Sequence, residues 1–177
     1  MKNLKKIIFL DRDGVVNVEK EYVHKIKDFS FIEGVFDALI YLKLLGYEFI
    51  IVSNQSGIGR GYFHLNDFNI LNTWMISEFK KKNIEIIDVL ICPHSPEDKC
   101  SCRKPQPGLF EEAIRKHKFI INNSWMVGDS ERDITAANNA GITNTILVRS
   151  GHKIDEKNTN AKFIINSLKN INEVVKS

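Results

Sequence analysis

Short apolar runs alternate along the chain with longer segments in which apolar residues recur at helical spacing. Such runs are typical of buried strands, and such segments of amphipathic helices. The runs predict strands at residues 7–10, 48–53, 88–92, 125–128 and 145–148, and an edge strand at 163–165. The intervening segments predict helices at residues 35–45, 66–82, 108–117 and 131–140, with a short closing helix after the last strand.

Strands that alternate with helices indicate βαβ units, a mainly parallel sheet and helices on both of its faces. We therefore expect an α/β fold, a Rossmann-like three-layer sandwich. The chain has 177 residues, 43% of them apolar, which suffices for one well-filled core. We expect residues 1–177 to form a single domain, since no internal repeat or low-complexity linker interrupts the pattern.

The longest apolar runs, residues 7–10 and 49–52, are far shorter than the roughly 20 residues that cross a bilayer. The basic start resembles a signal peptide, but its apolar segment ends at Asp11. We therefore expect no membrane association and a cytoplasmic location. The net charge is +3, with Lys and Arg spread among the acidic residues, which argues against a dedicated nucleic-acid binder.

Polar and charged residues follow several predicted strands, where ligands bind in parallel α/β sheets. These residues are Asp11 and Asp13 after the first strand, Ser53 and Asn54 at the second, Arg103 and Lys104 after the third, and Asp129 and Asp133 at the fourth. Paired carboxylates at a buried strand end need a cation such as Mg²⁺, and hydroxyl and cationic groups suit phosphate oxygens. Each motif alone is weak, but their shared placement predicts phosphoryl transfer to water through an aspartyl-phosphate.

All three cysteines lie in one short segment with a histidine between them: Cys92, His94, Cys100 and Cys102. Three thiolates and one imidazole suit tetrahedral Zn²⁺, and four protein ligands leave no position for a catalytic water. We therefore expect a small zinc-bound loop with a structural ion. The loop ends directly in Arg103 and Lys104, so the zinc would hold these two cations in place before a ligand arrives.

The glycine-rich stretch at residues 57–61 comes close to a dinucleotide-binding fingerprint, because it follows a strand. However, Tyr62 stands where the third glycine belongs, and no clear acidic ribose partner follows. A flexible loop that closes over a substrate fits the stretch better.

Four motifs make the chain resemble the haloacid dehalogenase superfamily of phosphatases: FLDRDG (9–14), VSNQ (52–55), RKPQPG (103–108) and VGDSERD (127–133). The further stretches DRDGVVN, NQSGIGRGYF and LVRSG, together with the cysteine segment, are similar to its bacterial heptose-bisphosphate phosphatases. The resemblance covers nearly the whole chain.

The resemblance implies a role for each residue of the motifs. Asp11 would be the nucleophile, and Asp13 the general acid that later becomes the general base. Ser53 and Lys104 would hold the transferred phosphoryl group.

The resemblance also implies a catalytic Mg²⁺ bound by the carboxylates of Asp11 and Asp129 and by the backbone carbonyl of Asp13. Asp133 would orient a water of the metal or Lys104.

The implied substrate is a phosphorylated sugar, recognised by loops because no stretch is long enough for a separate cap domain. The substrate-binding residues matched are Glu19, Lys20, Glu21, Tyr22, Asn54, Gln55, Ser56 and Arg103. One departure concerns position 130, where many of these enzymes carry Lys and this chain has Ser130. The short loops and the missing cap favour a monomer.

Two alternative functions remain open at this point. Histidinol-phosphate phosphatases share the metal loop and the four motifs, although the segment at residues 60–63 favours the sugar substrate. A zinc-dependent nucleic-acid module would explain the cysteines but would leave the strand-end carboxylates without a purpose. The isolated residues His24, His64, His117 and His152 are expected at the surface or in packing roles, and Trp74, Met75 and Phe79 in the core.

Overall fold

The computed structural model describes residues 5–176, so residues 1–4 of the basic start and residue 177 lie outside the described part. The sequence pattern predicts the strands closely. They are β1 (Lys6–Leu10), β2 (Tyr47–Asn54), β3 (Ile86–Cys92), β4 (Trp125–Gly128), β5 (Asn144–Val148) and β6 (Phe163–Ile165). They form one sheet in the order β3-β2-β1-β4-β5-β6, and every pair of neighbouring strands is parallel.

The helices follow the predicted spacing, with one addition. They are α1 (Val35–Leu44), α2 (Ser56–Gly59), α3 (Leu65–Lys81), α4 (Gly108–Lys116) and α5 (Glu131–Asn139). The addition is α2, a single turn within the glycine-rich stretch that the sequence pattern predicts as a loop. Short 3-10 helices lie at Ile26–Asp28, Pro96–Asp98, Ile121–Asn123 and Leu168–Glu173, the last in place of the predicted closing helix.

The helices cover both faces of the sheet, which confirms the predicted three-layer α/β fold. On β1, Ile8 and Leu10 pack with α1 and α3, whereas Ile7 and Phe9 pack with α4 and α5. This alternation follows from the pleat, since successive side chains of a strand point to opposite faces. The predicted core residues lie on the first of these faces, with Met75 and Phe79 buried and Trp74 packed against them. The single domain over residues 1–177 stays a prediction.

The chain reverses its direction of travel across the sheet between β1 and β4, and this switch point fixes the position of the site. Leu10 of β1 lies beside Val127 of β4, and the backbone N–H of Asp11 donates to the carbonyl of Val127 over 3.0 Å. The next residues of both strands therefore meet at the carboxyl edge of the sheet. Gly14 has φ +82°, and a Cβ atom there would clash with the carboxylate of Asp129, so only glycine fits this crossing.

Within residues 5–176, none of the helices has the length and apolar content that crossing a membrane requires.

Candidate active site

A cavity of about 460 Å³ opens at the carboxyl edge of the sheet. Its walls are the loops that follow β1, β2, β4 and β5, together with the segment before α4. Most of the site residues predicted from the sequence line it: Asp11, Asp13, Glu19, Glu21, Tyr22, Ser53, Asn54, Gln55, Ser56, Arg103, Lys104 and Asp129. The parallel sheet thus brings together groups that are spread along most of the chain.

Lys20 is the one predicted substrate residue that does not line this cavity. The backbone of Glu21 and Tyr22 is left-handed, with φ values of 44° and 53°, and the Glu19 carboxylate accepts the Glu21 N–H over 2.7 Å. This tight turn directs Lys20 away from the cavity, and its Nζ donates instead to the carbonyl of Asp28 over 3.2 Å. Lys20 therefore lies outside the cavity lining, and its role in substrate binding stays a prediction.

Lys104 is the cation at the centre of the site, and its side chain is only 2% exposed. Its Nζ lies 3.1 Å from Oδ1 of Asp11 and 2.6 Å from Oδ1 of Asp133, and it donates to the carbonyl of Val52 over 2.8 Å. Burial alone would lower the pKa of Lys104, but the two carboxylates raise it far above its ordinary value. Lys104 is therefore a permanent positive charge in the floor of the cavity.

Asp133 links this cation to the loop after β4. Its Oδ2 accepts the backbone N–H groups of Asp129 and Ser130, each over 3.1 Å, while its Oδ1 faces Lys104. Both carboxylate oxygens are thus engaged, and Asp133 holds Lys104 and the Asp129 backbone in a fixed relation.

The remaining carboxylates carry more negative charge than Lys104 neutralises. Burial raises the pKa of Asp11 well above its ordinary value despite the lowering effect of Lys104, and the neighbouring aspartates raise it further. Burial likewise raises the pKa of Asp129, with Asp133 adding to the effect. One oxygen from each of Asp11, Asp129 and Asp133 lies within 4.8 Å of the others. Because Asp133 is already engaged, Asp11 and Asp129 are the carboxylates that fit a hard divalent cation such as Mg²⁺.

Asp13 lies apart from this trio of carboxylates and contacts the end of β2. Nε2 of Gln55 donates to its Oδ2 over 3.1 Å and also to Oγ of Ser53 over 2.8 Å. The amide of Gln55 therefore connects Asp13 with the hydroxyl that the family motif assigns to phosphate binding.

Asn54 ties the end of β2 to the segment that carries Lys104. Its Nδ2 donates to the carbonyl of Lys104, and its Oδ1 accepts the Lys104 N–H, each over 3.1 Å. This two-bond link holds two loops together at the floor of the cavity, so a position predicted to contact substrate also organises the site.

The structure adds several cavity residues that the sequence pattern does not predict. The pattern predicts a surface or packing role for His152, but its Nδ1 lies 2.6 Å from Oδ2 of Asp129 and its N–H donates to the same oxygen over 3.0 Å. His152 follows the end of β5, so the strand-end rule applied to that strand would have found it. Arg60 and Arg132 also line the cavity. His117, by contrast, contacts Asp88 away from the cavity.

Beside the cavity, the predicted zinc ligands Cys92, His94, Cys100 and Cys102 converge, with donor atoms within 4.8 Å of one another. The Sγ atom of Cys92 lies 3.5 Å from Nδ1 of His94 and 3.5 Å from Sγ of Cys100, and the His94 nitrogen lies 3.2 Å from Sγ of Cys102. Ligand atoms around a tetrahedral Zn²⁺ stand about 3.5–3.8 Å apart. The four donors therefore fit a closed tetrahedral zinc site.

The protonation of the thiols agrees with this arrangement. Burial raises the pKa of Cys92 far above its ordinary value. Burial also acts to raise the pKa of Cys100, but hydrogen bonds from Cys102 and its other neighbours lower it to about 7. Without a cation the cluster therefore disfavours thiolates at Cys92 and Cys102, whereas a metal ion would favour thiolates at all three positions.

Comparisons with known proteins agree with the fold and the motifs. A family model described as HAD-hydrolase-like matches residues 101–171. The D-glycero-alpha-D-manno-heptose-1,7-bisphosphate 7-phosphatase of Photorhabdus laumondii is 40% identical over 177 residues, covering 96% of each chain. The D-glycero-beta-D-manno-heptose-1,7-bisphosphate 7-phosphatase of Haemophilus ducreyi is 44% identical over 172 residues, covering 93% of this chain and 94% of the relative.

Among solved structures, the D,D-heptose 1,7-bisphosphate phosphatase of B. bronchiseptica, complexed with magnesium and phosphate, is similar with a TM-score of 0.84 and 29% identity. It covers 95% of this chain, which covers 96% of that structure. Similarity over nearly the full length of such relatives establishes the family. The chain belongs to the haloacid dehalogenase-like hydrolases, in the family of the heptose-bisphosphate phosphatases that it matches.

Proposed function

We propose that the protein is a Mg²⁺-dependent phosphatase that removes the 7-phosphate from D-glycero-D-manno-heptose 1,7-bisphosphate. The reaction would proceed through an aspartyl-phosphate and would serve the biosynthesis of nucleotide-activated heptose. The observation that carries the proposal is the convergence of Asp11, Asp13, Ser53, Lys104 and Asp129 in one cavity at the topological switch point. The names of the relatives, which agree on this substrate, support it.

In the proposed mechanism, a carboxylate oxygen of Asp11 attacks the phosphorus and the bond from phosphorus to the sugar oxygen breaks. Asp13 donates a proton to that departing oxygen. Asp13 then takes a proton from a water that attacks the aspartyl-phosphate, which releases phosphate and restores Asp11. Two separate carboxyl groups are needed, and the structure holds Asp11 and Asp13 in different surroundings.

Lys104 and Ser53 would bind the oxygens of the transferred group. Lys104 is buried, charged and already oriented by two carboxylates, so it need not reorganise when charge develops on those oxygens. Oγ of Ser53 lies beside the same cavity and is fixed by the amide of Gln55.

The carboxylates of Asp11 and Asp129 and the carbonyl of Asp13 would hold Mg²⁺, which when bound would neutralise phosphate charge at the nucleophile. The raised pKa values of both aspartates support this assignment, because such carboxyl groups are stabilised as anions by a bound cation.

The second phosphate of the substrate would lie at the mouth of the cavity, where Arg60, Arg103 and Arg132 line the wall. Arg132 stands two residues beyond Ser130 and supplies a cation on the same loop where many relatives carry Lys. Arg60 and Arg132 are exposed and Arg103 is half-buried, and arginines in such positions suit the outer phosphate, whereas the buried Lys104 suits the reacting one.

The zinc would be structural. Its four proposed ligands close the coordination, and Cys102 directly precedes Arg103 and Lys104. The bound ion would fix the segment that presents both cations. A cytoplasmic location and a monomeric state stay predictions.

The test is phosphate release from the α and β anomers of the bisphosphate, measured in parallel with histidinol phosphate and with Mg²⁺ present or chelated. We expect Mg²⁺-dependent release from at least one anomer and little from histidinol phosphate. A large preference for histidinol phosphate would show that it, and not the sugar bisphosphate, is the substrate. If the protein hydrolysed no phosphate ester and bound nucleic acid tightly, a zinc-dependent nucleic-acid module would replace the phosphatase as the proposed function.

A further inference from the structure

We propose that Arg12 is a positioning residue that holds the Asp13 carboxylate at the angle required for proton transfer. The inference rests on the acid and base role proposed for Asp13. The Arg12 guanidinium lies behind the cavity wall and contacts the Asp13 side chain but neither Asp11 nor Asp129. The Arg12 backbone N–H donates to Oδ1 of Asp11 over 2.8 Å.

Arg12 is buried to an extent unusual for a charged residue, with an exposed fraction of only 1%. Its guanidinium grips Asp13 with two bonds, from Nε to Oδ2 over 3.1 Å and from Nη2 to Oδ1 over 2.9 Å. A two-bond fork of this kind fixes the plane of a carboxylate as well as its position. A single-point cation such as lysine would fix only the distance.

Burial of the Arg12 guanidinium is only partly compensated by polar contacts. Its Nη1 is buried and has no hydrogen-bond partner among residues 5–176. The face of the Phe68 ring lies 5.9 Å from the guanidinium carbon, so part of the surroundings is apolar. Buried ion pairs are often no more stabilising than apolar residues of similar volume. The second bond from Nη2, to the carbonyl of Val23 over 2.7 Å, anchors the fork to the loop that leads into the cavity.

Two further donors complete the support of Asp13 from opposite sides. Nδ2 of Asn17 donates to Oδ1 over 3.0 Å, and Nε2 of Gln55 donates to Oδ2 over 3.1 Å. Arg12 and Asn17 do not line the cavity, whereas Gln55 does. Arg12 and Asn17 therefore hold the carboxylate from behind, and Oδ2 is the oxygen that the cavity residue Gln55 contacts.

This arrangement defines how the proton moves. A carboxylate has about four lone-pair positions, and the donors around Asp13 occupy them in the ligand-free state. Gln55 also bonds to Ser53, so its amide is the donor that yields when the leaving oxygen reaches Oδ2. For this step Asp13 is protonated at Oδ2, in the position that the Gln55 amide vacates. The Oδ2–H bond breaks and its proton passes to the leaving oxygen as the bond from that oxygen to phosphorus breaks. The Asp13 carboxylate that remains later takes a proton from the attacking water, which restores the acid. The two bonds from Arg12 keep Oδ2 oriented toward the leaving oxygen of the sugar and, later, toward the attacking water.

The test compares Arg12→Lys with the parent on two substrates, the heptose bisphosphate and 4-nitrophenyl phosphate. Nitrophenolate leaves without a proton, so formation of the aspartyl-phosphate from this ester does not need Asp13 as an acid. Its hydrolysis still needs Asp13 as a base. Rapid mixing measures the first burst of nitrophenolate and the slower steady rate separately, and the burst amplitude counts the folded, active sites.

For Arg12→Lys we expect the burst rate constant with nitrophenyl phosphate to stay within about twofold of the parent, while steady turnover per active site falls about tenfold or more. With the sugar substrate, the first turnover should slow as well, and KM should change by less than about threefold because Arg12 does not touch substrate. Asp13→Asn should show the same pattern more strongly. Arg115→Lys, an exposed change on α4, serves as the matched control and should behave like the parent.

Equal losses in burst and steady rate would show general damage and would overturn the inference, as would parental rates in Arg12→Lys. If the lysine variant does not fold, Asn17→Ala removes one neutral bond to the same carboxylate and must show the same pattern, with an effect of about threefold. Parental rates in Asn17→Ala would then overturn the inference. A parent that hydrolyses neither substrate would instead refute the proposed function.

Discussion

The catalytic cavity and the cysteine loop both concentrate groups that are unfavourable when left alone, but they are stabilised in different ways. The cavity gathers its groups from the ends of four strands, so the sheet itself sets their positions. The loop takes all four of its donor residues from residues 92–102, so the local chain sets theirs. In the cavity a protein cation, Lys104, already pairs with two of the carboxylates. The loop has no such cation at its centre and fits an external ion instead.

The two regions are joined at one segment. Lys104 follows Cys102 by two residues and is bonded through its backbone to Asn54 at the end of β2. We therefore expect substitutions of charged cavity residues to change both turnover and the free energy of unfolding. Substitutions in the cysteine loop should instead change how firmly Arg103 and Lys104 are held in position.

The largest expected effect is on the cavity side, from Asp11→Asn. The substitution removes the proposed nucleophile and keeps the side-chain volume, so turnover should fall at least about a thousandfold. Steady-state phosphate release from the heptose bisphosphate measures it. Asp37→Asn, at an exposed position of α1, is the matched control and should leave the rate unchanged. An Asp11→Asn protein with full activity would remove the aspartyl-phosphate from the mechanism.

The second-largest effect is expected from the removal of Lys104, the buried cation of the cavity. Lys104→Met should lower the free energy of unfolding by about 3 kcal/mol, because Asp11 and Asp133 lose their buried partner. The loss should shrink as the pH is lowered from 7 to 5. Burial raises the pKa of Asp11, and without the lowering effect of Lys104 it rises further, so the folded variant binds protons more tightly than the unfolded chain.

Urea unfolding in the absence of metal at both pH values measures this difference. Lys99→Met, on the exposed part of the cysteine loop, is the control. A variant that is equally destabilised at both pH values would show that Lys104 contributes through packing and not through charge.

The sequence predicts the fold well because its four central strands, β1, β2, β4 and β5, are largely buried and bounded by polar turns. The bounds of β4 agree with the prediction, and those of β1 and β5 differ by one residue. The helix α2 is missed because glycine-rich sequence has low helix propensity, and here the bond from the Gly59 N–H to the carbonyl of Pro93 supports the turn.

The sequence placed a residue in the cavity where its chemical type and its position after a strand were enough to indicate it, as for Asp11, Lys104 and Asp129. The position of His152 after β5 was also open to the strand-end rule, but its contact with Asp129 was not, because the two residues lie far apart in sequence and only the fold joins them. The role inferred for Arg12 likewise depends on its burial. Lys20 lies outside the cavity beside two consecutive left-handed residues, a turn of the backbone that motif matching does not reveal.

A smaller effect is expected on the loop side, from Cys102→Ser. The parent should contain one zinc per chain, measured by elemental analysis, and the variant less. We expect the unfolding free energy to fall by about 2 kcal/mol, or roughly 5 °C in melting temperature for a chain of this size. KM should rise several-fold while the nitrophenolate burst from Asp11 persists. Ser101→Ala is the matched control. A variant that binds substrate and melts like the parent would show that the loop does not organise Arg103 and Lys104.

The smallest effect is expected at Asp88 of β3, the strand that leads into the cysteine loop. Asp88 contacts Lys116 and His117 at the end of α4. Burial acts to raise the pKa of Asp88, but hydrogen bonds from His117 and Lys116 lower it below 3.8 overall. A lowered folded-state pKa means that the ionised carboxylate contributes stability above about pH 4 and loses it as the pH falls through the folded value.

Asp88→Asn should therefore reduce the unfolding free energy by less than about 1 kcal/mol at pH 7, since partly exposed ion pairs contribute little. The difference from the parent should be smaller near pH 3 than at pH 7, and Asp37→Asn, at an exposed position of α1, provides the comparison. Urea midpoints at the two pH values measure it. Because Asp88 joins the strand that ends in Cys92 to the end of α4, a loss comparable to that of Cys102→Ser would mean that protein contacts, and not the metal, hold the cysteine loop in place.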